Sequence, residues 1–335
     1  MPKLTSLSQI TDIARAFPEF DQASADAATD RQNQLTKPPG SLGTLEDLAI
    51  FMAGWHRTPR PCIATAQALV FAGNHGICNQ GVNPFPQEVT AQMVANFEQG
   101  GAAINQLCQA NGASLSVVAL DLDRPTVDFC TGPAMSEEEC LQAMSRGAEA
   151  VDAQADILLL GEMGIGNSTT AAALAAAVIG GDPIDWVGAG TGSSPEGIAL
   201  KARVVADGIA LHGDGSPMDI LRCLGGREQA AICGAVLAAR AASIPVILDG
   251  YICTAATAPL FATDPRLLDH CLVGHASAEP GHRKLTAAFD KTPVLDFSMR
   301  LGEGTGAALA LGILKSALAC HNGMATFAEA GVAGG

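Results

Sequence analysis

The chain should fold as an α/β protein whose sheet is mostly parallel and covered by helices on both faces. Three observations carry that expectation. Runs such as "QALVFAG", "DILLLG" and "IPVILDG" are apolar throughout rather than alternating, as strands buried on both faces are. Helix-patterned segments separate most of these runs, which suits parallel strands joined by crossovers. Glycine-rich polar stretches follow several of them, and ligands bind beyond the carboxyl ends of strands in open parallel sheets. Together they imply a doubly wound (Rossmann-like) body at residues 61–304. Residues 1–60 and 305–335 should form a small helical domain from both chain termini.

The elements follow in order. The first sixty or so residues read as helical, and "LEDLAIFMAGWH" carries apolar positions at helical spacing. Thr44 with Asp47 resembles a capping box at its start. Ahead of it "KPPGSLG" must be a defined turn, because helix cannot run through Pro38 to Gly40. From Ala66 onward seven runs read as strands: "QALVFAG", "SLSVVALDL", "DILLLG", "IDWVGAG", "IPVILDG", "CLVGH" and "PVLDF". Between them "PQEVTAQMVANFEQG", "STTAAALAAAVIG" and "EQAAICGAVLAARAA" read as helices, and "GTGAALALGILKSALACHNGMATFAEA" returns the chain to helix at its end.

Composition narrows the function. At 335 residues, with 48% hydrophobic and 16% charged, the chain suits one large core with an appendage rather than a disordered protein. A net charge of −15 argues against nucleic acid or an anionic membrane as a partner, yet a phosphate can still be held by local amides and one or two cations. No apolar run reaches the roughly 20 residues of a membrane span. The start, "MPKLTSLSQITDIARAF", lacks the pattern of a secretory signal, so the cytoplasm is the expected compartment. The ten cysteines are scattered without C-x-x-C spacing and read as reduced, mostly buried thiols.

The strand exits hold the chemistry. In "GEMGIGNSTT", Gly164 and Gly166 let backbone amides approach a ligand, while Asn167, Ser168 and Thr169 suit the cap of the next helix. Such a helix start seats phosphate, although the motif alone also fits a capped turn with no ligand. No P-loop lysine is present to suggest an NTPase. "GAGTGSS", spanning Gly190, Thr191 and Gly192, offers a second backbone wall for the same anion. Lys201 on the following helix either completes that pocket or is an ordinary solvated lysine. Glu162 stands among these glycines and is expected to serve a different part of the same ligand. Glu303, between glycines in "RLGEGTG", is either a carboxylate placed near a helix dipole or a general base. His75, His275 and His282 match no zinc spacing, so neither metal nor cofactor is expected.

Taken together, "KPPGSLGTLEDLA", "GEMGIGNSTTAAAL", "ILDG" and "MRLGEGTGAALAL", with "GNHG", "VTAQM" and "HNGM", resemble the nicotinate-nucleotide–dimethylbenzimidazole phosphoribosyltransferase family from about Lys37 to the last helix. The resemblance implies transfer of the phosphoribosyl group of nicotinate mononucleotide to a benzimidazole-type base, with inversion at the anomeric carbon, in cobamide nucleotide-loop assembly. It implies that Glu303 is the general base. It places Glu162, Lys201, Gly164 to Thr169 and Gly190 to Gly192 at the nucleotide, and Phe85, Met93, Met163 and Leu301 along the base slot. It also implies a homodimer. Asn74 in "GNHG" stands where the family often has Asp. A nucleotide N-glycoside hydrolase using Glu162 and Glu303, or a non-catalytic nucleotide-binding module, are the readings to be separated from it.

Overall fold

The computed structural model describes residues 5–190 and 192–333. Its sheet has five strands: β1 (Ala66–Ala72), β2 (Ala113–Ala119), β3 (Ile157–Met163), β4 (Val246–Leu248) and β5 (Cys271–Val273). All pairings are parallel and the order is β2-β1-β3-β4-β5. The chain first builds outward from β1 to β2, then returns to β3 on the other side. That reversal opens a crevice between the exits of β1 and β3, where Ala72 pairs with Met163.

Period-two burial divides the strands between two cores. Leu158 and Leu160 join Leu69 and Phe71 in one, and Ile157 and Leu159 join Ala68 and Val70 in the other. Short N-terminal helices α1 (Ile10–Ala14) and α2 (Gln22–Gln34) lead to α3 (Thr44–His56). After β1 come α4 (Glu88–Glu98) and α5 (Ala103–Asn111), and after β2 comes α6 (Glu137–Glu149). The long excursion from β3 to β4 carries α7 (Asn167–Ile179), α8 (Pro195–His212), α9 (Pro217–Leu224) and α10 (Arg227–Ala241). Four further helices, α11 (Tyr251–Ala256), α12 (Ala258–Thr263), α13 (Pro280–Ala288) and α14 (Thr305–Gly323), precede a last turn, α15 (Phe327–Ala330). Residues of α3, α5 and α14 cover one face of the sheet, and those of α6, α7 and α10 cover the other. Leu35 and Thr326 form an antiparallel bridge that ties the two ends of the chain together.

Helices α6 and α10 cross almost backbone to backbone. A Cβ on Gly147 would fall 1.9 Å from the Ala231 carbonyl oxygen, and one on Gly234 would fall 1.9 Å from that of Met144. Each glycine makes room for the other helix, as small residues do at close crossings.

The structure corrects four expectations. "IDWV" is not a strand: Asp182 accepts the Ile184 amide at 3.1 Å and starts a 3₁₀ turn, Pro183–Asp185, favoured by proline at its first position. "PVLDF" makes only an isolated bridge, Leu295 with His275. Thr44 does not cap α3; the cap residue is Gly43, at φ 52°, and the Glu46 carboxylate accepts the amides of Gly40 and Leu42 instead. Likewise Gly166, at φ 96°, is the cap residue of α7, so Asn167, Ser168 and Thr169 lie inside the helix. All ten cysteines are free thiols. Among the described residues no helix is long and apolar enough to cross a membrane.

Candidate active site

A cleft of about 840 Å³ opens over the exits of β3, β4 and β5. Its floor begins with Glu162, the penultimate residue of β3, only 4% exposed. The Asn167 side-chain amide donates to Glu162 Oε2, which holds the carboxyl toward the start of α7. Burial above all, then the charges of Asp249 and Glu228 and that of Glu303, pushes its pKa up to about 8 despite that bond. A carboxyl so placed binds its proton more tightly than one in water does.

Glu303 faces the same space from the loop before α14. The backbone there is left-handed at three successive residues, φ 84°, 65° and 84° for Gly302, Glu303 and Gly304. Glycine adopts that conformation freely and glutamate does so at a cost, so the surroundings must hold the turn in place. They do so in two ways. Gly161 of β3 lies directly beneath, where a Cβ would sit 2.5 Å from the Gly304 amide nitrogen. Asp249, at the exit of β4, accepts the amides of Gly304 at 3.1 Å, Gly306 at 2.6 Å and Ala307 at 3.0 Å. Glu303 is 7% exposed, and burial, followed by the Asp249 charge, raises its pKa to about 7. A carboxyl of that pKa can exchange a proton near physiological pH.

The polar end of the cleft lies at α7 and α8. Lys201 Nζ is 3.4 Å from Ser168 Oγ and 3.5 Å from the Gly188 carbonyl oxygen, and burial lowers its pKa against the pull of Glu279. Gly190, at φ 53°, fits against both: a Cβ there would lie 3.2 Å from Ser168 Oγ and 3.3 Å from Lys201 Nζ. Its amide donates to Glu279 Oε1 at 3.0 Å, and its carbonyl accepts Arg300 Nη1 at 2.7 Å. Lys201, Ser168, Arg300 and Gly164–Gly166 all line the cleft. Several amides of this loop are already engaged. Ile165 donates to Thr90 Oγ1 and Asn167 to the Gly164 carbonyl.

Phe85 and Leu301, 45% and 55% exposed, stand with Met163 on the apolar side of the cleft. The remaining expected residues do not line it. Thr169 is fully buried in α7, Met93 packs against the core beneath α3 and α14, and Gly192 lies outside the cavity wall. Thr191 lies outside the described residues. Asn74, 7% exposed, donates to the Leu122 carbonyl at 2.9 Å and serves the β2 exit rather than the cleft.

Sequence reasoning missed Asp249, Glu279 and Arg300, and weighed His275 only as a metal ligand; all four line the cleft. The signal for Asp249 was present, since "DGY" follows the β4 run as the other site residues follow theirs. Behind the cleft, His75 Nε2 lies 3.0 Å from Glu228 Oε1, both fully buried. Among the described residues no group of three His, Cys, Asp or Glu side chains is arranged to hold a metal ion.

Comparison with known proteins follows the same lines. A family model described as a phosphoribosyltransferase matches residues 17–332. The nicotinate-nucleotide–dimethylbenzimidazole phosphoribosyltransferase of Rhodobacter capsulatus is 62% identical over 332 residues, 99% of each chain. That of Ruegeria pomeroyi is 58% identical over the full length of both chains. The crystal structure of CobT from Thermus thermophilus superposes with a TM-score of 0.88 at 40% identity, covering 93% of this chain and 100% of that one.

Proposed function

The chain belongs to the nicotinate-nucleotide–dimethylbenzimidazole phosphoribosyltransferase family, and from that premise we propose how its cleft carries the transfer. The reaction moves a phosphoribosyl group from nicotinate mononucleotide to 5,6-dimethylbenzimidazole or a related base, giving α-ribazole 5′-phosphate and nicotinate. The 5′-phosphate is seated by Lys201, Ser168 and the backbone of Gly164 and Gly166. The ribosyl ring then lies over Glu162, whose carboxylate accepts from sugar hydroxyls and favours the positive charge that develops at the anomeric carbon. The incoming base occupies the apolar side, against Met163, Phe85 and Leu301.

One base nitrogen attacks the anomeric carbon on the face opposite the pyridinium. The bond to the pyridinium nitrogen breaks and its electron pair leaves with nicotinate. The other base nitrogen must give up its proton, or the product would remain cationic, and Glu303 accepts it. The leaving group departs from a charged ring, so no general acid is needed.

One observation carries this reading: the only side chain of the left-handed turn is a buried carboxyl with a pKa near 7, set in the same cleft as Lys201. The test is to incubate the purified protein with nicotinate mononucleotide and a mixture of candidate bases, then identify ribosides by mass spectrometry. Nicotinate release should require an added base; release without one would favour hydrolysis. Replacing Glu303 with Gln should lower kcat by about 10²–10⁴ while the nucleotide still binds. Persistence of both binding and full turnover in that variant would remove Glu303 from the chemistry.

We further propose that the chain acts as a homodimer in the cytoplasm. Phe297 and Leu301, 63% and 55% exposed, leave apolar surface on the stretch that leads into the cleft wall at Leu301, and such surface suits a second subunit. Light scattering should return twice the 34.1 kDa chain mass, and a value near that single mass would overturn the proposal.

A further inference from the structure

We propose that Asp249 is the positioning residue for Glu303: from the exit of β4 its carboxylate fixes the left-handed turn that aims Glu303 into the cleft. The inference rests on Glu303 being the base. Asp249 is 1% exposed, and among the described residues none of its side-chain hydrogen bonds goes to Lys201, Ser168 or Gly164–Gly166. Its oxygens are instead committed to the backbone of one short segment. Oδ2 accepts the Gly304 amide, and Oδ1 accepts the amides of Gly306 and Ala307. Gly304 flanks Glu303 directly, and Gly306 and Ala307 open α14. One carboxylate thus fixes the stretch of backbone that directly follows the base.

The neighbours show that this contact is built rather than incidental. Gly306 lets the helix start approach closely, since a Cβ there would meet His275 Cδ2 at 1.9 Å and Asp249 Oδ1 at 2.9 Å. Gly250 does the same on the other side, where a Cβ would lie 2.5 Å from His275 Nε2. That nitrogen is 3.8 Å from Asp249 Oδ1. Asp249, His275 and α14 therefore interlock around two glycines. A displacement of about 1 Å in a reacting group can cost about a hundredfold in rate, so a side chain that never meets substrate can still govern turnover.

Asp249 also acts on the base through its charge. The titratable and charged groups that line the cleft with Glu303 include Asp249 after β4, Glu162 of β3, His275 beyond β5 and Arg300 on its own segment, with Lys201 and Glu279 across the cleft. Of these, Asp249 is the one that raises Glu303's affinity for its proton. A neutral residue at 249 should make Glu303 ionise at lower pH.

The experiment compares wild type, Asp249→Asn, Glu303→Gln and the double variant. Asparagine preserves shape, but its amide nitrogen cannot accept from a backbone N–H. Asp249→Asn should lower kcat at least tenfold, change KM for nicotinate mononucleotide less than about threefold, and move the acidic limb of the pH–rate profile to lower pH. In the Glu303→Gln background the same change should have almost no further effect, because it acts through a side chain already removed. An equal loss in both backgrounds, or an acidic limb that stays in place, would overturn the proposal. Wild-type turnover in Asp249→Asn with an inactive Glu303→Gln would overturn it alone. Wild-type turnover in Glu303→Gln would remove the underlying base assignment and this inference with it. Should Asp249→Asn fail to fold, hydrogen exchange of wild type decides: the amides of Gly304, Gly306 and Ala307 must be protected, and free exchange there refutes the contact.

Discussion

Glu162 and Glu303 are carboxyls that the folded protein keeps protonated more readily than the unfolded chain does, with pKa values raised to about 8 and about 7 from an ordinary 4.5. Their contribution to stability is therefore present at low pH and is lost as pH rises from about 4.5 through those values. For Glu162 this amounts to a few kcal/mol as an order of magnitude, since each pKa unit corresponds to about 1.4 kcal/mol. Glu162→Gln, which retains an acceptor for the Asn167 amide, should raise Tm, and the gain should be larger at pH 9 than at pH 5; calorimetry at both values checks it. Activity runs the other way. Glu303 must be ionised to take a proton, so kcat/KM should climb as pH passes through about 7 and then level off. A flat profile between pH 6 and 8 would contradict Glu303 as the base. Both residues were legible in the sequence because each stands alone among glycines at the end of an apolar run. For Asp249 the "DGY" at its strand exit marked the place but not the task, because the backbone amides it accepts from Gly304, Gly306 and Ala307 carry no sequence signature.

Secondary structure was readable wherever burial alone decides it. The β1, β3 and β4 runs are apolar on both faces, and the helices between them follow the expected pattern. It failed where a local polar bond competes. Asp182 and Pro183 convert "IDWV" into a 3₁₀ turn, and Glu46 replaces Thr44 in organising the start of α3. The junction of β3 with the turn before α14 makes a further prediction. Gly161→Ala would drive a Cβ to 2.5 Å from the Gly304 nitrogen, a contact that only backbone movement can relieve. It should cost about 1–3 kcal/mol in stability and lower kcat more than KM, by displacing the Glu303 turn. Denaturant titration together with steady-state kinetics reads both effects. A variant that lost stability but kept kcat would mean the turn tolerates the shift.

For the molecule as a whole, the order β2-β1-β3-β4-β5 explains why one cleft collects residues so far apart in the chain. Parallel strands all end at the same edge, so Glu162, Asp249 and His275 converge there, and the turn before α14 brings Glu303 to them. Saturating nucleotide should therefore report on global stability, with about 2.7 kcal/mol gained at a hundred times Kd. A scanning calorimeter should record the rise in Tm, and the Lys201→Ala variant should record much less at the same concentration. The glycine crossing of α6 and α10 adds a mechanical consequence. Two rods that touch at their main chains have no side-chain cushion between them and cannot slide without collision. That pair is thus an anvil within the body, and the breathing that admits and releases substrate is expected away from it, in segments such as Val82–Phe85 and Arg300–Glu303 that line the cleft.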